Sequence, residues 1–346
     1  MKKKIVPIVF IAAMSLTACG GKSYSPRDYI AGSLDYRDGF KILQLTDIHM
    51  SDKDDQDLHY DFMDLLIREA KEDPLHTGQV DLMVVTGDLF TFASRGTAIR
   101  LFEFLDSYDI PWTVVYGNHD EQTYFSVDWL SDYLNNFGSN CIFKDLRDDK
   151  VQGNCNFAIN LKNADGSLHN QLIFMDSNRY YFGSYFGYDY FKQDQIDWYS
   201  SLVDDTAEYN KEITHAATAE PVNSLMFYHI PLPEIDKICP QDTMKKGDEG
   251  YNFVWGEKRE KSCPPDSNSG FFDVIKEKGS TKAMFFGHDH INNFEADYEG
   301  VKFCYGMKST DRIYFAEDML GYQTISIKAD NSLEIERFFH TYAEVK

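Results

Sequence analysis

Positive charge is scarce in this chain. Its 346 residues include 34 Lys and Arg against 56 Asp and Glu, which gives a formal net charge of -22. Proteins that bind nucleic acid through its phosphates need a basic surface, and beyond residues 2–4 the Lys and Arg residues are dispersed, so the composition argues against nucleic acid as a primary partner. A site for any anionic ligand would need strong local positive charge, which bound metal ions can supply.

The chain has no apolar run long enough to span a bilayer as a mature helix. Its N-terminus has instead the layout of a cleaved export signal, with Lys2, Lys3 and Lys4 followed by an apolar stretch at 5–14. The following Leu-Thr-Ala-Cys, which ends at Cys19, resembles a bacterial lipoprotein signal. It implies a lipidated Cys19 and an exported, membrane-anchored protein of the bacterial cell envelope, periplasmic or surface-exposed. The alternative is an ordinary signal peptide in which this cysteine is incidental.

Repeats, low-complexity tracts and dividing linkers are also absent. The chain is 43% hydrophobic and 15% aromatic, which suffices for one large packed core. We predict a signal peptide at 1–18, a lipidated cysteine and tether at 19–35, and one folded domain at 36–346.

Cysteines are few, and an exported protein can keep disulfides. Five remain after Cys19, so at least one is unpaired within the chain. We predict a Cys239–Cys263 bridge, with Cys141–Cys155 as a weaker pairing.

Buried-type strands alternate with helical patterns in the first half of the chain, which favours a parallel sheet with helices on its faces. The second half adds a hairpin, a helix, two buried strands and a closing antiparallel pair. The predicted strands are 41–45, 81–85, 112–116, 154–161, 171–175, 225–228, 283–286, 323–327 and 332–338, and the predicted helices are 60–70, 98–105 and 193–203.

Polar motifs follow five of these strands. Alone, each has an ordinary explanation, since Asp, Asn and Gly are common in turns and a lone His is often a core residue. Together they predict one polar pocket, because ligands bind at the carboxyl ends of strands in open α/β sheets. The motifs are Asp47-Ile48-His49, Gly87-Asp88, Gly117-Asn118-His119-Asp120, His229 and Gly287-His288-Asp289-His290.

This series resembles the signature of the calcineurin-like metallophosphoesterase superfamily. Segments 268–272, 287–294 and 304–306 further resemble a branch called purple-acid-phosphatase-like in plants and fungi. The resemblance implies an α/β fold: a four-layer α/β/β/α sandwich of two mixed β-sheets flanked by helices, with a dinuclear metal site at the strand C-terminal edge. A purple acid phosphatase would have a tyrosine ligand where this chain has Thr91.

The resemblance also implies the roles of the site residues. Two divalent or trivalent metal ions (Mn, Fe, Zn or similar) would hold a shared hydroxide that attacks phosphorus in line with the leaving oxygen. His119 would be the general acid, with Asp120 holding its ring. The implied ligands are Asp47, His49 and His290 for one metal, Asn118, His229 and His288 for the second, and Asp88 for both.

The expected substrate is a phosphate ester. Phosphomonoester hydrolysis is slightly favoured, phosphodiester hydrolysis is the alternative, and a non-catalytic surface lipoprotein or binding protein is an alternative of another class. Arg179 and Lys308 are candidate grips for the phosphate, with an ordinary surface charge as the alternative for each. The segment 230–267 lacks periodicity, which favours a lid over the substrate site or a solvated insertion.

Overall fold

The computed structural model describes residues 30–53, 55–72, 79–146, 151–182 and 186–346. The predicted signal peptide and Cys19 lie outside the described residues, as does most of the tether. None of the helices in the described ranges is long and apolar enough to cross a membrane.

Fourteen strands form in these ranges, and they include every strand expected from the sequence. In chain order they are β1 (Ile30–Asp35), β2 (Phe40–Leu45), β3 (Val80–Thr86), β4 (Trp112–Val115), β5 (Phe157–Lys162), β6 (Leu168–Phe174), β7 (Tyr180–Phe182), β8 (Phe186–Tyr188), β9 (Ser224–Phe227), β10 (Thr281–Phe286), β11 (Glu295–Tyr298), β12 (Val301–Tyr305), β13 (Gly321–Ile327) and β14 (Leu333–Phe339).

The helices of the described part include all three that were predicted. They are α1 (Gln56–Glu72), α2 (Arg95–Asp106), α3 (Val127–Asn135), α4 (Gln193–Thr214), α5 (Ile235–Ile238) and α6 (Phe271–Lys278). Serine side chains cap two of them, since Ser94 accepts from the Thr97 amide at the start of α2 and Ser126 accepts from the Trp129 amide at the start of α3.

Two large sheets organise the molecule. The first has the strand order β14-β13-β2-β3-β4, in which β2, β3 and β4 are parallel, β13 pairs antiparallel with β2, and β14 pairs antiparallel with β13. The second has the order β1-β5-β6-β9-β10-β12-β11 and is also mixed. The separate β7–β8 hairpin was not predicted.

The seven-stranded sheet is buried on both faces. In β10, Phe285 belongs to a core shared with the five-stranded sheet and with α1, α2 and α3, whereas Phe286 belongs to a second core under α4 and α6. Successive side chains of a strand point to opposite faces, so the two cores lie on opposite sides of this sheet. The predicted four-layer α/β/β/α sandwich is therefore confirmed.

The predicted Cys239–Cys263 disulfide is wrong in this structure, because all five described cysteines are free thiols. Cys239 is buried with its Sγ 4.0 Å from Met244 Sδ, while Cys263 is exposed, so the two thiols lie in different surroundings. The segment between them is held by packing instead: the Phe253 ring stacks on the Phe294 ring with centroids 4.0 Å apart. The role of segment 230–267 as a lid stays a prediction.

Candidate metal centre

The five polar motifs meet at one edge of the sandwich, where β2, β3 and β4 of one sheet and β9 and β10 of the other end. Both sheets therefore contribute to the site. All seven predicted ligands are buried, with at most 7% of any residue exposed. They are Asp47 and His49 after β2, Asp88 after β3, Asn118 after β4, His229 after β9, and His288 and His290 after β10.

The backbone turns sharply at these strand ends. Four of the seven residues have positive φ, which non-glycine residues adopt only when their surroundings fix it: Asp47 (55°), His49 (53°), Asp88 (50°) and His288 (80°). Glycine is required at two of the motif positions because a side chain would not fit there. A Cβ on Gly117 would lie 2.2 Å from Asp88 Oδ1, and one on Gly287 would lie 2.5 Å from Asp47 Oδ2. The glycines thus leave room for the carboxylates.

The ligand atoms form two clusters that share one carboxylate. Asp47, His49, Asp88 and His290 have ligand atoms within 4.8 Å of one another, and so do Asp88, His229 and His288. Asp88 Oδ2 lies 3.5 Å from His49 Nε2 and 3.2 Å from His229 Nε2. This is the arrangement expected of a carboxylate that bridges two ions.

Backbone carbonyls fix which ring nitrogen of two histidines faces the site. Thr86 O accepts a hydrogen bond from His229 Nδ1 at 2.8 Å, and Tyr314 O accepts one from His290 Nδ1 at 2.9 Å. A carbonyl cannot donate, so each Nδ1 carries the proton and each Nε2 offers a lone pair in the neutral ring. His49 Nδ1 contacts Thr91 Oγ1 at 2.8 Å.

Among the described residues, four buried polar atoms at this place have no hydrogen-bond partner outside the cluster itself, and this shows whether the residues fit metal ions. A buried polar atom without a partner is costly, and native structures rarely leave one unexplained. Here all four are atoms that a metal ion would contact, and an acceptor set of carboxylate, amide and imidazole suits divalent transition metals. The atoms are Asp88 Oδ2, Asn118 Oδ1, His229 Nε2 and His288 Nε2. The residues fit a dinuclear divalent metal site.

The pKa values of the cluster show that its buried carboxylates are stabilised by nearby positive charge. Burial alone would raise the pKa of Asp88, but the charge of His229 lowers it to about 2. The charge of Asp88 raises the pKa of His229 to about 10 against the effect of its burial, so an ion that binds at His229 Nε2 would displace a proton there. Burial lowers the pKa of His288 to about 3, so its imidazole is neutral and available as a ligand.

His119 lies beside the cluster and is partly exposed. Its ring meets the His49 ring edge to face with centroids 4.9 Å apart, and its amide donates to Asp88 Oδ1 at 2.8 Å. The prediction that Asp120 holds this ring is wrong. His119 Nδ1 contacts Gln122 Oε1 at 2.8 Å.

Asp120 supports the backbone instead. Its carboxylate accepts from the amides of Phe90 (3.0 Å) and Gly117 (2.8 Å), which ties the second motif to the third. Burial, together with the nearby charge of Asp88, raises the pKa of Asp120 to about 8. A carboxyl directed at two amides shapes the turn and does not orient the imidazole.

The sequence did not reveal a three-residue cradle that holds the first motif. Lys308, Ser309 and Thr310 each bind one of three successive carbonyls. Ser309 N donates to Thr46 O at 3.0 Å, Lys308 Nζ to Asp47 O at 2.8 Å, and Thr310 Oγ1 to Ile48 O at 2.7 Å. The only sequence signal was the position of this cradle just after the segment 304–306.

Two tyrosines near the ligands were also missed. Tyr180 OH accepts from Asn118 Nδ2 at 2.9 Å, which leaves Asn118 Oδ1 to face the site, and from Gln122 Nε2 at 3.1 Å. Tyr314 stacks on the His290 ring with centroids 4.2 Å apart. An aromatic residue between motifs has no sequence pattern that marks it as part of a site.

The chain belongs to the calcineurin-like phosphoesterase family, whose sequence profile matches residues 40–292. It is therefore a hydrolase of phosphate esters by class, with a fold and a cluster that support metal dependence.

Relatives in Arabidopsis thaliana bear the names "Probable inactive purple acid phosphatase 29" and "Probable inactive purple acid phosphatase 14". Each is 27% identical to this chain and covers 77% of it, over 71% and 69% of the relative. The predicted resemblance to this branch is confirmed. A dimetal phosphatase from Danio rerio has a similar fold, with a TM-score of 0.54 at 14% identity over 87% of this chain and 96% of that one.

Proposed function

We propose that this chain hydrolyses phosphate esters at a two-metal centre with His119 as the general acid. The observation that carries the proposal is the convergence of four buried atoms, which have no hydrogen-bond partner outside the cluster in the described part of the chain, with the remaining Asp and His ligands. One ion would be held by Asp47, His49 and His290, the other by Asn118, His229 and His288, and Asp88 would be shared.

When bound, two such ions activate water and neutralise charge on the phosphoryl oxygens. The chain's own contribution is to place the proton donor. Gln122 Oε1 accepts from His119 Nδ1, and the Gln122 amide is itself fixed because its Nε2 donates to Tyr180 OH. With Nδ1 occupied, His119 Nε2 is the atom left to carry a proton to the leaving oxygen.

The test combines metal stoichiometry with turnover. We expect the purified wild type to bind two Mn²⁺ per chain and to hydrolyse p-nitrophenyl phosphate or bis(p-nitrophenyl) phosphate. Asp88→Asn should lose bound metal and turnover together, because it removes one negative charge from both clusters. Asp165→Asn, at an exposed turn between β5 and β6, is the control and should match the wild type. Two bound Mn²⁺ without hydrolysis of either ester would contradict the proposal and would favour a binding protein.

Phosphodiester hydrolysis is the second candidate, and the contacts of the two expected grips favour it. Arg179 Nη1 pairs with Glu121 at 2.7 Å, and its Nη2 contacts Asn154 at 3.3 Å. Lys308 is buried and donates to Asp47 O. Neither cation is placed as a separate grip for a dianionic monoester, whereas a diester carries one charge fewer. The ratio of kcat/KM for the two p-nitrophenyl esters decides between these classes.

We further propose that the protein is exported and anchored by lipid at Cys19. The support is the sequence at 2–19, with its positive start, short apolar run and small residues before the cysteine. Metabolic labelling with an alkyne fatty acid should mark the wild type, and Cys19→Ala should remove the label. Label retained in that variant would contradict the anchor.

A further inference from the structure

Three consecutive apolar side chains lie exposed beside the metal centre. The connection between β12 and β13 contains them: Ile313, Tyr314 and Phe315, here called the apolar loop. Each is more than two-fifths exposed. Scattered exposed apolar residues are ordinary, but contiguous ones often mark a place where something binds. The middle residue contacts a predicted metal ligand directly.

Tyr314 is held rigidly over that ligand. Its ring stacks on the His290 ring at 4.2 Å with an interplanar angle of 22°. Its carbonyl accepts from His290 Nδ1 at 2.9 Å, and its hydroxyl donates to Glu260 Oε1 at 3.1 Å. The residue is nevertheless 44% exposed. One face of the ring therefore covers the imidazole, while a large part of the side chain remains open to solvent.

The backbone of the apolar loop is strained where it presents these side chains. Ile313 has φ 69°, a left-handed conformation that is unfavourable for a β-branched residue. Such conformations persist when the surroundings impose them, and they concentrate at functional sites. The next residue, Tyr314, is the one fixed to His290 and Glu260.

We propose that Tyr314 is a specificity residue that receives a planar aromatic substituent of the phosphate ester. This inference rests on the proposed function. His290 Nε2 faces Asp47 Oδ1 at 3.4 Å within the site, while Tyr314 covers the flat side of the same imidazole. A phosphate held between the clusters would have this ring within reach of its ester substituent. A planar group can stack on an aromatic ring that is already fixed, with little further loss of conformational freedom.

The experiment measures binding, which does not depend on turnover. Mn²⁺-loaded protein is titrated with phenylphosphonate and with methylphosphonate, two probes that differ in their substituent alone. We expect the wild type to prefer the phenyl compound, and Tyr314→Leu to weaken binding of that compound by about 2- to 10-fold while leaving methylphosphonate unchanged. Tyr314→Phe keeps the ring and should keep the preference.

Phe339→Leu is the matched control. Phe339 is 46% exposed, similar to Tyr314, and it lies on β14 against Trp255. This variant should bind both probes as the wild type does. Equal weakening of both probes in Tyr314→Leu would show that the ring only positions His290 and would overturn the proposal. An unchanged preference for phenylphosphonate in Tyr314→Leu would also overturn it.

Failure of the proposed function and failure of the Tyr314 role give different results. If the wild type binds the probes with the expected preference but hydrolyses no ester, the proposed function fails. If it hydrolyses esters but neither binding nor kcat/KM depends on Tyr314, the role of Tyr314 fails alone.

Discussion

The cradle formed by Lys308, Ser309 and Thr310 predicts a measurable dependence of metal affinity on a residue that is not itself a ligand. Thr310→Val is nearly isosteric and removes the hydroxyl that donates to Ile48 O at 2.7 Å and accepts, over a longer 3.3 Å, from the Arg312 amide. Thr310 is fully buried, so water cannot readily replace this donor. The carbonyl between Asp47 and His49 is then left without that partner.

The size of the effect follows from the contacts that are lost. Leaving one buried acceptor unsatisfied costs about 1–3 kcal/mol. Asp47 and His49 both have positive φ, and such conformations are themselves unfavourable, so part of this cost falls on the ligand-ready form of the loop. If all of it does, apparent Mn²⁺ affinity drops by about 5- to 150-fold, since about 1.4 kcal/mol corresponds to a factor of ten.

The assay is a Mn²⁺ titration of purified variants, with thermal unfolding recorded alongside. Thr324→Val in β13 is the matched control, because Thr324 is also buried but its hydroxyl has no hydrogen-bond partner in the described part of the chain. We expect the control to bind Mn²⁺ as the wild type does. Wild-type affinity in Thr310→Val, with both variants folded, would refute the view that the cradle positions the first motif.

Three further predictions concern the site and its support. His119→Ala should keep both Mn²⁺ ions and lower kcat by about 10²–10⁴-fold, so an unchanged kcat would remove His119 from the mechanism. Gly87→Ala should abolish metal binding in a dialysis measurement, since a Cβ there would lie 2.5 Å from His229 Nδ1 and φ is 87°; normal stoichiometry would contradict this. Burial raises the pKa of Glu295, but Lys302 and Arg337 lower it overall, below its usual 4.5. The ionised carboxylate therefore stabilises the fold above about pH 4.5, and this stabilisation is lost as the pH falls further. Glu295→Gln should lower the free energy of unfolding in urea at pH 7 and should match the wild type in acid, whereas a difference independent of pH would argue against the ion pair.

The sequence predicted those parts of the molecule that depend on local pattern. An apolar run such as 82–85, which is short and rich in Val, predicts a strand buried on both faces, and a polar motif directly after it then lies at the carboxyl end of that strand. Parallel strands of one sheet gather their motifs at one edge, as β2, β3 and β4 do. The strand pattern does not contain the meeting of this edge with the ends of β9 and β10 in the other sheet, which brings Asp47 to His290.

Contacts between elements far apart in the chain could not be predicted in this way. Thr310 and Ile48 are 262 positions apart, and nothing local in either residue indicates that they pair. Asp120 was assigned to the His119 ring because the two are neighbours, but the turn directs its carboxylate to backbone amides. The disulfide failed because two cysteines bracketing a loop say nothing of the direction of their side chains.

The division of the ligands between the two sheets has a mechanical consequence. Each cluster takes residues from both sheets, and a row of stacked rings, Phe157, Phe174, Phe227 and Phe285, lines the seven-stranded sheet in the core between them. Any sliding of one layer over the other would alter the separation of the donor atoms. Bound ions would thus resist shear of the sandwich. A cavity made at Phe157, on β5, which carries none of the predicted ligands, would then weaken ion retention.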